Sequence, residues 1–252
     1  AEGIVPENDL WISTSNKSAN KSMTEEVFNE VIDKVINVYE PIVTAQGGNL
    51  KVDRAWDDGT VNAYASRTGS NWNVFMFGGL ARHEAITEDG FALVVCHEIG
   101  HHIGGAPKKT SFWFPSWATN EGQADYFATL KCLRKVFRSE DNKAIVAKLN
   151  VPSTVEASCS AQFTAEEERL LCQRGAMAGL STAKLFQDLR GQTTTPDFTT
   201  PDTNIVSKTD HNHPDTQCRL DTYLAGALCE VADAIDVDNK DESAGVCYRA
   251  LG

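Results

Sequence analysis

The sequence predicts an α+β fold, mostly helical with a small antiparallel sheet, and three observations predict it. Apolar residues recur at helical spacing at Phe28, Val31, Ile32, Val35, Tyr39 and Ile42. Between Leu50 and Phe77 the pattern changes to short alternating runs broken by Gly-containing turns. From Thr87 onward helical patterning returns and persists to the last third of the chain.

Taken in order, residues 1–22 are polar and rich in Ser, Asn and Lys, and read as a loosely held N-terminal arm. Residues 23–252 read as one compact domain, opened by a helix over residues 23–43 that Pro41 bends or ends. Leu50–Trp56, Val61–Ser66 and Trp72–Phe77 read as the strands, with Asp58-Gly59 as a turn. Thr87 is positioned to cap a helix that runs to about Ile103, where Gly104-Gly105 stops it. A loop holding Phe112, Trp113, Phe114 and Trp117 follows; it reads equally as core packing or as the wall of a pocket. A helix from about Asn120 to Phe137 comes next, and residues 139–163 look irregular. Thr164 and Glu167 form a capping-box pattern for a helix to about Leu189. Residues 191–210 are a Thr/Pro/Asp-rich loop, and a last helix is expected from about Pro214 to Ala234.

Composition narrows the classes. The 252 residues are 41% hydrophobic, enough for a substantial core. The longest apolar run, Phe91–Cys96, is far short of the roughly 20 residues of a membrane span. A net charge of −12 without a Lys/Arg block argues against nucleic-acid binding. Oligomeric state is not encoded in any pattern of this kind. Seven cysteines with no C-x-x-C pair point to disulfides in an oxidising compartment. Closeness suggests Cys159 with Cys172 and Cys229 with Cys247, leaving Cys132 for Cys218 and Cys96 free in its apolar stretch. A start at Ala-Glu-Gly agrees with a mature form after signal cleavage, so an exported location, periplasmic or secreted, is the expectation.

The chemistry gathers at Cys96-His97-Glu98-Ile99-Gly100-His101-His102. On a helix, His97 and His101 share a face and can chelate one ion. Glu98, about a quarter turn away, can reach a metal-bound water and take its proton. This is the H-E-x-x-H arrangement of metallopeptidases. A helix with surface histidines is the plain alternative, but Ala92–Val95, Ile99 and Ile103 make this helix a buried one, where paired imidazoles need partners. Glu121 and Asp125, also four apart, would by themselves read as a solvated helix face. Beside the histidine pair, Glu121 completes a His2Glu zinc site, and Asp125 fixes the tautomer of a ligand histidine. His102 points away from that face and reads as packing, and the isolated His83 reads as structural.

These motifs resemble the gluzincin zinc metallopeptidases, and within them the HtpX and CAAX-prenyl-protease family in its soluble, periplasmic-type branch. Glu121-x-x-Ala124-Asp125 is similar to that family's E-x-x-A-D pattern. Asn62-Ala63-Tyr64-Ala65 resembles its N-A-[FY]-A strand, which edges the cleft and pairs with an extended substrate. His213-Pro214 followed by Arg219 matches its H-P-x-x-x-x-R, whose His and Arg stabilise the oxyanion or order the site. The separation of His101 from Glu121 is shorter than in many members and is closer to thermolysin-type gluzincins. The family's P-G-G is replaced by Ser66-Arg67-Thr68-Gly69, and its membrane helices are missing. The resemblance implies a zincin-like fold whose small sheet edges the active-site cleft, with one zinc ion on His97, His101 and Glu121. It also implies catalytic roles for Glu98, His213 and Arg219, and a peptide or protein substrate aligned on Asn62, Ala63, Tyr64 and Ala65. The implied activity is hydrolysis of peptide bonds by an endopeptidase, through a zinc-bound water activated by Glu98. Two alternatives stay open: a non-catalytic chaperone or protein-binding module on the same fold, and a zinc hydrolase acting on another amide or ester.

Overall fold

A computed structural model describes residues 3–110 and 115–247, and its architecture is α+β. Helix α1 (Glu25–Ala45) starts where the Thr24 side chain accepts a hydrogen bond from Val27 N–H, and its apolar stripe is buried from Phe28 to Val43. Pro41 lies inside the helix near its end without terminating it. Strands β1 (Asn49–Ala55), β2 (Ala63–Thr68) and β3 (Asn71–Phe77) form one sheet in the order β1-β3-β2. The sheet is mixed rather than antiparallel: β2 and β3 form a hairpin, but β1 runs parallel to β3. The chain turns back between β1 and β2, so inserting β3 between them makes β1 and β3 run the same way. Period-2 alternation marks each strand but carries no information on which neighbour it joins.

A short helix α2 (Gly78–Ala81) leads to α3 (Glu88–Ile103), capped by the Thr87 hydroxyl on Gly90 N–H as its sequence predicts. Gly104 closes α3, and Gly105 takes the left-handed conformation just beyond, at φ 83°. Every residue from Gly90 to Ile103 is buried, so α3 is the central helix, packed against α1, the sheet and the helices that follow. Strands β4 (Lys108–Thr110) and β5 (Pro115–Thr119) form a second, two-stranded ladder. Phe112, Trp113 and Phe114 lie outside the described residues.

Helix α4 (Glu121–Phe127) begins at Asn120, whose side chain accepts from Gln123 N–H. It continues through a π-helical turn (Ala128–Cys132) into α5 (Leu133–Phe137), so the expected single helix is one rod with a widened middle. Residues 139–163, expected to be irregular, contain α6 (Asn142–Val146) and α7 (Ser153–Gln162). The buried face of α7 amounts to Val155 and Cys159, too little to show as a periodic stripe. Helix α8 (Glu166–Leu189) starts without the expected capping box; Ala165 occupies the cap, and Arg169 reaches back to the carbonyls of Phe163 and Thr164. Helix α9 (Thr216–Leu228) ends before Ala234, because buried Arg134 captures the carbonyls of Ala227, Cys229 and Val231 and turns the chain there. Gly226 on α9 lets that helix approach the π turn closely, since a Cβ there would lie 2.2 Å from Thr129 Oγ1.

Three disulfides are present. Cys159–Cys172 joins α7 to α8 and Cys229–Cys247 ties down the chain after α9, as closeness suggests. The third is Cys96–Cys132, which staples α3 to the π turn; Cys218 is the free thiol. Burial of Cys96 therefore reflects a bond across the core and not a lone thiol. The N-terminal arm also differs from its polar composition, because Ile4, Val5 and Ile12 are buried in the main core. Among the described residues no helix is long and apolar enough to cross a membrane.

Peptide mapping without reduction is expected to recover the Cys96–Cys132 link and to leave Cys218 alone open to alkylation after unfolding. Replacing Cys96 and Cys132 together by Ala should lower unfolding free energy by about 4 kcal/mol, from the 36-residue loop they close. Urea titration reads the change.

Candidate metal centre

Helix α3 presents His97, Glu98 and His101, and α4 presents Glu121 and Asp125 against it. His97, His101 and Glu121 form a cluster that could hold a metal ion, with one ligand atom from each lying within 4.8 Å of the others. Glu121 Oε2 is 3.1 Å from His97 Nε2, and Glu121 Oε1 is 3.5 Å from His101 Nε2. All three side chains are buried, and the two imidazoles meet edge to face at 4.7 Å.

The outer nitrogens are also placed. His101 Nδ1–H donates to the Thr119 carbonyl at 2.8 Å; a carbonyl can only accept, so Nε2 carries the lone pair toward the cluster. That Nε2 has no hydrogen-bond partner. His97 Nδ1 lies 2.8 Å from Asp125 Oδ1, close enough for charge pairing though off the hydrogen-bond axis. Burial works to lower the His97 pKa, but Asp125 and Glu121 overcome it and raise it to about 9. Burial dominates at His101 and lowers it to about 4. Burial also acts to raise the Glu121 carboxyl, but His101, His97 and Lys109 hold it well below the usual carboxylate range.

Glu98 differs from every other charged group here. It is fully buried, and neither carboxylate oxygen has a hydrogen-bond partner. Burial pushes its pKa up to about 8. A buried carboxyl without partners costs stability, and such costs concentrate at sites of chemistry.

Helix α9 supplies the support. Arg219 is buried and grips Asp125 with two hydrogen bonds, Nε to Oδ2 and Nη2 to Oδ1, each 2.8 Å. Tyr223 O–H donates to the same Oδ1 at 2.8 Å. Arg219 therefore acts on the cluster through Asp125 and His97. His213, just before α9, places Nε2 3.8 Å from Glu121 Oε2 and donates from it to the Gly3 carbonyl at 2.6 Å. Asn62 precedes β2 and Ala63, Tyr64 and Ala65 lie on it, and this edge runs beside the Gly3–Val5 segment.

Two residues at the site escaped sequence inspection. Tyr223 shares the face of α9 with Arg219, four positions on, and that spacing was available as a signal. Lys109 on β4 puts Nζ 2.7 Å from Glu121 Oε1, and nothing in its surroundings along the chain marks it. His102 is packed, not ligating: it stacks between Trp72 and Trp117 and hydrogen-bonds the Asn73 carbonyl. The same stack accounts for Trp117. His83, just after α2, pairs with Asp188 of α8 at 2.8 Å.

Asp125→Asn removes the charge that orients His97 and is expected to weaken metal binding about 10- to 100-fold. Titration of metal against a competing chelator measures it, with a melting curve to confirm folding. No family model, curated protein or solved structure matches this chain.

Proposed function

We propose that this protein is a zinc-dependent endopeptidase, exported to an oxidising compartment, with a zincin-like fold. The observation that carries the reading is Glu98, a fully buried carboxyl without hydrogen-bond partners, beside a three-ligand cluster. A structural metal site needs no such neighbour, whereas hydrolysis needs a base.

The cluster suits zinc. Two imidazoles and one carboxylate are the ligand set of catalytic zinc with an open position. One ligand atom from each of His97, His101 and Glu121 lies within 4.8 Å of the others, so the three side chains could hold one ion between them. The orphaned His101 Nε2 fits a ligand awaiting its ion. Lys109 sits on the same carboxylate, but its long stem and partial exposure let the ammonium withdraw. When bound, zinc supplies a Lewis acid that polarises the substrate carbonyl and makes water acidic enough to attack near neutral pH.

The chain's own groups do the rest. Glu98 takes the proton of the attacking water and passes it to the leaving nitrogen, with both of its oxygens free of other hydrogen bonds for that exchange. His213 donates to the carbonyl oxygen as negative charge builds on it. Arg219, through Asp125, holds His97 in its ligating orientation. Asn62 and β2 offer main-chain and amide bonds to an extended peptide, which favours peptides over other amides or esters. Three disulfides are compatible with the exported location.

Glu98→Gln keeps volume and hydrogen-bonding capacity but cannot accept the proton. It is expected to retain one zinc per chain by elemental analysis and to lose hydrolysis of an unfolded protein by about 10²- to 10⁴-fold. Glu121→Ala, by contrast, should lose the zinc. Equal hydrolysis by wild type and Glu98→Gln would overturn the peptidase reading.

A further inference from the structure

The N-terminal segment runs along the edge of β2 and the loop before it. Gly3 bridges Tyr64 in antiparallel fashion, and Ile4 N–H donates to the Ala63 carbonyl at 2.8 Å. The Asn62 amide reads the main chain of Val5 in both directions, accepting from its N–H at 3.4 Å and donating to its carbonyl at 3.2 Å. Farther along, Asn8 donates to Val61 O at 3.1 Å, and Ile12 N–H donates to Gly59 O at 2.8 Å. Buried Arg82 then pins the Ile12 carbonyl through Nε and Nη2.

The opposite side of the segment faces the metal cluster. His213 Nε2, 3.8 Å from Glu121 Oε2, donates to the Gly3 carbonyl at 2.6 Å. Arg219 Nη1 donates to the Ile4 carbonyl at 2.6 Å. Three successive carbonyls are thus caught by His213, Arg219 and Asn62. The Ile4 side chain is fully buried. Gly3 admits no side chain in this position, since a Cβ would lie 2.1 Å from Asn62 Oδ1, an atom already engaged by Val5 and Ala63 N–H.

We infer that Gly3-Ile4-Val5 occupies the cleft as an intramolecular substrate-like strand that blocks it. The Gly3 carbonyl stands where His213 receives the carbonyl to be attacked, and Ile4 fills the pocket that selects a branched aliphatic residue on the leaving side. The word substrate rests on the peptidase reading; the occupancy itself does not. Protection of a sheet edge would need only the ladder bonds to β2. It leaves unexplained why two side chains of the metal centre's own support are spent on the carbonyls of Gly3 and Ile4. The bonds from the Ala63 carbonyl and the Asn62 side-chain amide reach only the peptide main chain, so selectivity falls to the Ile4 pocket and to the small residue that Asn62 requires in place of Gly3. A tethered strand acts at an effective concentration in the millimolar range, so a free peptide competes poorly until the segment leaves.

The test uses the full chain carrying Glu98→Gln, so that a probe is not consumed, and a fluorescein-labelled hexapeptide Glu-Gly-Ile-Val-Pro-Glu. Two variants eject the segment: Gly3→Val, which clashes with Asn62, and Ile4→Asp, which cannot stay buried; melting curves confirm that each folds. By anisotropy, both should bind the peptide at least tenfold more tightly than the parent, and a peptide with Asp for Ile should bind at least tenfold more weakly than the original. With Glu98 restored, both variants should cleave an unfolded protein at least tenfold faster than wild type. Equal peptide affinity in the parent and in whichever variants fold overturns the inference, even if cleavage proceeds and the peptidase reading stands. Tighter binding without cleavage in any variant upholds the occupied cleft and overturns the peptidase reading instead.

Discussion

Asp125 is a carboxylate buried in the middle of the molecule, and the arrangement of the candidate metal centre depends on how its charge is met. Arg219 faces it with two hydrogen bonds, Tyr223 adds a third, and His97 lies against the same oxygen. Burial works to raise the Asp125 pKa, but Arg219 and His97 overcome it and hold it low, so the group stays ionised in the core. Removing one member of such a set costs about 3–5 kcal/mol, because it leaves a partner charged and alone. The network therefore joins α3, α4 and α9 in one register. It sets the angle of the His97 ring, and with it the direction in which Nε2 faces Glu121.

Covalent and packing constraints reinforce the same three elements. Cys96, next to His97, is bonded to Cys132 in the π turn that follows α4. Gly226 lets α9 close on that turn. Against this rigidity Glu98 stands out as a buried group with nothing holding its oxygens. Most buried polar atoms in proteins find a hydrogen-bond partner. The proposed roles rest on the contrast between Asp125, both of whose oxygens accept hydrogen bonds, and Glu98, neither of whose oxygens does.

Arg219 also connects this junction to the N-terminal segment, since one guanidinium serves Asp125 and the Ile4 carbonyl together. Whatever peptide lies on β2 is thus in contact with the network that orients His97. Occupancy of the edge and geometry of the candidate ligands are physically coupled through a single buried side chain.

Much of the site was legible along the chain because its determinants are local. His97 and His101, like Glu121 and Asp125, meet by the four-residue spacing of one helix. Thr87 and Asn120 cap α3 and α4 through bonds to N–H groups three residues away. Cysteines close in sequence found each other. Determinants that span the fold were not legible. Alternation marked three strands but not that β1 and β3 run parallel, because pairing is a property of the sheet. The polar look of the first residues concealed Ile4 and Val5, whose burial depends on an edge that β2 offers from sixty residues away. Cys132 met Cys96 and not Cys218, and Lys109 met Glu121, because packing brings those elements together. By itself the sequence determined which groups share a helix face, since helical geometry is the same in every protein. Only the tertiary structure decided what faces them, since burial and charge pairing depend on which elements come together.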